Sequence, residues 1–158
     1  MPEDIGKHKG RTIVLDFDGV INSYTSGWQG SATKIVDPPT PDARETIRLL
    51  RQNGWKVVVF STRCMSPEGR DAILTYLEKW GIEVDDVAPK KPPALVYVDD
   101  RGYRFDGDWS KLISFVQDPE AVRPWNKKEV PQAIPGTLID VLGITGNEPD
   151  ADLPGLGQ

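Results

Sequence analysis

The chain has 158 residues and a mass of 17.5 kDa, the size of one domain. Its single cysteine and single histidine exclude an intramolecular disulfide framework, a multi-cysteine metal centre and a histidine-cluster zinc site. The formal charge is -5, but residues 131–158 hold four acids and no Lys or Arg, which leaves about -1 for residues 1–130 and no basic excess of the kind that marks a dedicated nucleic-acid binder. No apolar run reaches the roughly 18–20 residues of a membrane span. Residues 1–11 are polar throughout, which predicts no secretory leader and a soluble, cytoplasmic setting. The chemistry must therefore come from carboxylates, hydroxyls, Lys and Arg.

Strands and helices alternate along the first 118 residues. Thr12 to Phe17 is a short, β-branched, apolar run that predicts a buried parallel strand, ended by Asp18-Gly19. Pro41 to Asn53 predicts a helix, with Thr40 as cap, Pro41 in the first turn, Gly54 as stop, and Ala43, Ile47 and Leu50 on one face. Trp55 to Phe60 predicts a second strand. Ser66-Pro67-Glu68 opens a second helix that places Ile73, Leu77 and Trp80 on one face and stops at Gly81. A third strand is expected within Ile82–Val87, a fourth over Ala94–Val98, and a last helix over about Trp109–Val116 capped by Asp108. This order predicts an α/β, Rossmann-like, mostly parallel sheet with helices on both faces.

Composition changes at residue 119. Residues 119–158 hold six Pro and five Gly, about twice average usage, and Pro131, Pro135, Pro149 and Pro154 interrupt any long helix. The expected organisation is one domain over 1–118 followed by a Pro/Gly-rich segment over 119–158. That segment comprises a strap over 119–130, a short apolar piece Leu138–Ile144, and a flexible acidic tail over about 145–158.

Reactive groups fall where three strands end. The first ends Asp16-Phe17-Asp18, the second Ser61-Thr62-Arg63, and the fourth Asp99-Asp100-Arg101, with Lys90 and Lys91 upstream of the fourth. In open parallel sheets, ligands bind at the carboxyl ends of strands. Asp16 and Asp18, two residues apart, project to one side of a strand tip. Facing Asp99 and Asp100, they would repel one another unless a hard divalent cation such as Mg2+ lay between them, and such a cation attracts phosphate oxygens. A hydroxyl from Ser61 and a lysine charge complete a phosphate site.

The set DFDGV, VVVFS, KKPPA and VYVDD, in this order, resembles the four motifs of the haloacid dehalogenase superfamily of phosphohydrolases. The resemblance covers residues 11–117. It implies that Asp16 is a nucleophile forming an aspartyl-phosphate, and that Asp18 is the general acid and base. It further implies that Ser61 bonds the phosphoryl group, and that Lys91, with Lys90 as the alternative, is the motif lysine. Mg2+ is implied between the Asp16 carboxylate, the Asp18 backbone carbonyl, and Asp99 or Asp100. Because members of the superfamily that pump ions or cleave phosphorus–carbon bonds tend to lack the second aspartate, Asp18 makes the resemblance imply phosphate-ester hydrolysis or transfer. Response-regulator receivers use similar groups in the opposite order along the chain.

Residues 20–40 have room for a β-hairpin flap with Gly27, Trp28 and Gly30 at its tip, but not for a helical cap, and the residues between Ser61 and Lys91 are used by the second helix and third strand. The expected protein is therefore capless, with no large cap domain, open to a nucleotide, a nucleic-acid end or another phosphorylated molecule. Thr62, Arg63, Trp28 and Arg101 are candidate substrate contacts. Tyr24, Tyr103 and Trp109 are further aromatics flanking the motifs, and Cys64 has no histidine partner and is expected to be a bystander. The competing function is a catalytically quiet phosphate-binding or adaptor protein that uses Leu138–Ile144 and the acidic tail to hold a partner.

Overall fold

The structure, a computed structural model, describes residues 10–121. Four strands form one parallel sheet: β1 (Thr12–Leu15), β2 (Lys56–Phe60), β3 (Asp86–Ala88) and β4 (Val96–Val98), in the order β3-β2-β1-β4. Parallel neighbours need long crossovers. Helix α1 (Ala43–Gln52) supplies the one between β1 and β2, and α2 (Pro67–Lys79) the one between β2 and β3. Helix α3 (Trp109–Gln117) follows β4. The α/β class and the Rossmann-like parallel arrangement are those the alternation predicts.

Register sets the core. Ile13 pairs with Val57 and Leu15 with Val59, so their side chains share one face, where Ile47 of α1 and Ile73, Tyr76 and Leu77 of α2 bury against them. Val57 and Val59 are fully buried, each worth about 1.5–3 kcal/mol relative to exposure. Val14, Val58 and Ala88 point to the opposite face and form a smaller cluster with Phe60 and Ala94. The crossover from β3 to β4 runs through residues 89–95 without a helix, and α3 buries none of its residues. Chain direction across the sheet reverses between β3 and β4. The tips of β1 and β4 thus form the topological switch point, where such sheets bind ligands.

Several local expectations shift. The third strand, expected within Ile82–Val87, spans Asp86–Ala88; Asp85 just before it already holds β2, its carboxylate accepting from the Val57 N–H at 2.7 Å and its N–H donating to the Val57 carbonyl at 2.9 Å. Thr40 does not cap α1: its hydroxyl donates to the Val20 carbonyl at 2.6 Å, and Asp42, at φ 64, occupies the cap without a side-chain bond. Ser66 and Asp108 do cap their helices, accepting from the N–H groups of Gly69 and Ser110. The expected hairpin over residues 20–40 is instead a closed loop with single bridges at Asn22–Pro39 and Asp18–Asn22. Pro38 and Pro39 cannot donate to a ladder. The buried Asp37 carboxylate gathers the loop by accepting from the Thr25 hydroxyl and from the Ser26 N–H and hydroxyl. Residues 122–158, with Leu138–Ile144, most of the expected strap and the acidic tail, lie outside the described residues.

Candidate active site

The tips of β1, β2 and β4 open into one cleft of about 780 Å3. Asp16, Asp18, Ser61, Thr62, Lys91, Asp99, Asp100, Arg101 and Trp28, all singled out from sequence, line it. Asp16 is placed by the sheet itself: its N–H donates to the Val98 carbonyl at 2.9 Å, fastening the end of β1 to the end of β4. One carboxylate oxygen each from Asp16, Asp99 and Asp100 lies within 4.8 Å of the others. Burial pushes the Asp16 carboxyl up to about 7; the Phe17 N–H, donating at 2.7 Å, opposes the rise, and the nearby charges of Asp99, Asp100 and Asp18 add to it. Three oxygen donors from like-charged groups, one of them held against its preferred ionisation, suit a hard divalent cation. These three residues could hold a metal.

Gly19 makes the cluster possible. Its φ of 81 lies in the left-handed region, and a Cβ there would overlap the Asp100 carboxylate. The Asp99 carboxylate is turned by the Arg101 N–H, which donates to it at 2.7 Å.

Asp18 stands apart from the three. One oxygen accepts from Arg63 Nε at 2.8 Å and the other from the Asn22 side-chain amide at 2.9 Å, so its carboxylate is fixed while each oxygen keeps a second lone pair. Arg63, expected among the substrate contacts, is 3% exposed and turns inward instead. Its Nη1 donates to the carbonyls of Ala32 at 2.8 Å and Ser31 at 3.3 Å, tying the loop to Asp18. A buried guanidinium needs a charge partner and acceptors, and Asp18 with the loop carbonyls supplies both. Ser61, also buried, accepts from the Arg63 N–H, which holds its hydroxyl at the tip of β2. Both lysines are exposed, but only Lys91 lines the cleft, with its Nζ 4.4 Å from the centre of the Tyr97 ring.

Asn22, Tyr97 and Arg104 are site residues that the sequence reading missed. Asn22 follows Asp18 by four residues, and that spacing in a turn after the strand was the available signal. Tyr97 was read only as part of the fourth strand, and its side chain is exposed on that strand. Of the flanking aromatics, Tyr24 and Tyr103 line the cleft and Trp109 does not. The Cys64 thiol is buried and pushed up by that burial, which fits a bystander.

No family model matches the chain, and no curated protein does. Among solved structures, a conserved protein from Bacteroides thetaiotaomicron is 24% identical over 69% of this chain and 91% of its own, with a TM-score of 0.48. A Pnkp1/Rnl/Hen1 complex is 19% identical over 72% of this chain and 36% of its own, at 0.44. A crystal structure from Vibrio cholerae is 19% identical over 75% and 99%, at 0.40. Similarity at this level carries no statement about activity. Among the described residues, no helix is long and apolar enough to cross a membrane.

Proposed function

We propose that the protein is a Mg2+-dependent phosphomonoesterase of the haloacid dehalogenase type, acting in the cytoplasm through an aspartyl-phosphate on Asp16. The observation that carries the reading is the convergence in one cleft of Asp16, Asp18, Ser61, Lys91 and the Asp99-Asp100 pair, residues of four motifs of which three end strands. Residues 1–118 form the catalytic unit in this reading, and 119–158 an appended segment.

In the proposed mechanism, Asp16, Asp99 and Asp100, with the Asp18 backbone carbonyl, would hold Mg2+. Bound there, the cation would neutralise the crowded carboxylates and polarise a phosphoryl group. An Asp16 carboxylate oxygen attacks phosphorus, its other oxygen being oriented by the Phe17 N–H. Asp18 gives a proton to the departing oxygen and then takes one from the water that cleaves the acyl phosphate. Arg63 and Asn22 keep the Asp18 carboxylate aimed through both steps. Ser61 donates its hydroxyl to the phosphoryl oxygens, and Lys91 and Arg101 add positive charge at the cleft wall.

The test is phosphate release from p-nitrophenyl phosphate with Mg2+ and with chelator. The expected result is turnover that chelation abolishes and that Asp16→Asn lowers by at least a thousandfold with the fold intact. Full activity of Asp16→Asn would refute the nucleophile assignment.

A further inference from the structure

Beside the acid cluster the cleft has a wall of different chemistry. The cleft's volume falls within the roughly 300–1,000 Å3 of pockets that enclose a molecule of drug size, far more than a phosphoryl group fills. Tyr24 and Trp28, on the loop after β1, form part of its lining.

Both residues are tied to Asp18 through buried side chains, Tyr24 at its backbone and Trp28 at its ring. Tyr24 sits at φ 57, a left-handed conformation that costs a bulky residue and persists only where its surroundings impose it. The surrounding group is Asn22, 1% exposed, whose side-chain oxygen accepts from the Tyr24 N–H at 3.2 Å while its amide donates to Asp18. Trp28 is anchored independently. The guanidinium carbon of Arg63 lies 5.2 Å from the centre of its ring, and the same guanidinium is bonded to Asp18 and to the Ala32 carbonyl. Trp28 nevertheless stays 57% exposed. A large apolar ring held by a buried cation and still more than half exposed is preorganised to receive a flat partner.

We infer that Tyr24 and Trp28 form a subsite for a planar aromatic ring, and that the preferred substrates are phosphomonoesters whose leaving group carries a nucleobase. The inference rests on the phosphohydrolase reading and adds the substrate class to it. A nucleobase is the planar ring that metabolism places one sugar away from a phosphomonoester, and stacking on Trp and Tyr accepts any base because every base has a π face. A free mononucleotide and the phosphorylated end of a strand share this chemistry.

The experiment compares kcat/KM with Mg2+ for p-nitrophenyl phosphate, ribose 5-phosphate, nucleoside 3′- and 5′-monophosphates, and 3′- and 5′-phosphorylated oligothymidylates. In parallel, binding of AMP and of ribose 5-phosphate to Asp16→Asn is measured by calorimetry. The expected result is a ten- to hundredfold preference for the base-bearing esters. Trp28→Ala should bring that ratio close to one, and Trp28→Phe should keep most of it. Faster turnover of the oligothymidylates than of the mononucleotides would assign the strand end, and the reverse the free nucleotide. Turnover with equal kcat/KM for ribose 5-phosphate and nucleotides would overturn the inference and leave the phosphohydrolase reading standing. Silence of every ester together with base-dependent binding would leave the ring subsite standing and overturn the phosphohydrolase reading and the substrate class with it, and silence with no base-dependent binding would overturn all of these.

Discussion

Replacing Asp16 with asparagine should stabilise the metal-free fold above neutral pH and abolish turnover of the Mg2+-loaded protein. An unfolded aspartate ionises near 3.8, whereas burial and the neighbouring carboxylates hold the folded Asp16 near 7. Between these values the unfolded chain has given up the proton that the folded chain retains, so stability falls as pH rises from about 4 to about 7 and levels off above. At 1.36 kcal/mol per pH unit the ceiling is about 4 kcal/mol. Asp16 keeps part of its solvent contact, and screening reduces the expected gain to about 1–2 kcal/mol. Asparagine removes the charge and keeps a side-chain oxygen to accept the Phe17 N–H, so little else changes. For a chain of this size that gain corresponds to about 3–8 °C in Tm. The assay is thermal unfolding of both proteins in chelator from pH 4.5 to 8.5. The difference should be largest above pH 7 and shrink steadily toward pH 4.5. A variant no more stable than the parent at pH 8, or a gain that does not change with pH, would refute the electrostatic account of the site.

Mg2+ affinity, measured by calorimetry, should tighten by up to about tenfold per pH unit on approaching pH 7 and then flatten, with proton release on binding, because Asp16 must ionise to ligate. Gly19→Ala should lower stability by about 1–3 kcal/mol and weaken Mg2+ binding, since a Cβ at φ 81 is strained and displaces the Asp100 carboxylate; denaturant unfolding and metal titration read the two effects. Arg63→Ala leaves Asp18 short of its cation and frees the Ser31, Ala32 and Lys34 carbonyls, so a loss of about 3 kcal/mol is expected in urea unfolding. Ser66→Ala should cost about 1 kcal/mol through the lost cap of α2 and leave kcat/KM unchanged, which steady-state kinetics checks.

The elements themselves were legible because each is declared by local chemistry. The apolar β-branched runs at β1 and β2, Ser66-Pro67 at the head of α2, and Asp108 before α3 act over a few residues and do not depend on distant partners. The third strand was bracketed within Ile82–Val87 rather than delimited, because Ile82 and Val84 are apolar for core packing while the strand itself is Asp86–Ala88. The hairpin over 20–40 was wrong for a related reason. Its folding is directed by Asp37 and Arg63, whose bonds to Ser26 and Ala32 span 11 and 31 residues and leave no periodic mark in sequence.

For the site, spacing along the chain determined which residues end their strands together: Asp16 with Asp18, Ser61 with Thr62, and Asp99 with Asp100. Strand period and the rule that parallel sheets bind ligands at their carboxyl ends are properties of any such chain, so these groups could be assigned to one rim before any coordinates. Only the tertiary structure decided how the rim is divided. The resemblance had set Asp16 with Asp99 or Asp100 and Asp18 to a separate role; the structure brought both Asp99 and Asp100 beside Asp16, held Asp18 on Arg63 and Asn22, and turned Arg63 from an expected substrate contact into a buried support. The direction a guanidinium takes depends on which carboxylate and which carbonyls reach it through space, and that information exists only once the loop has closed over it.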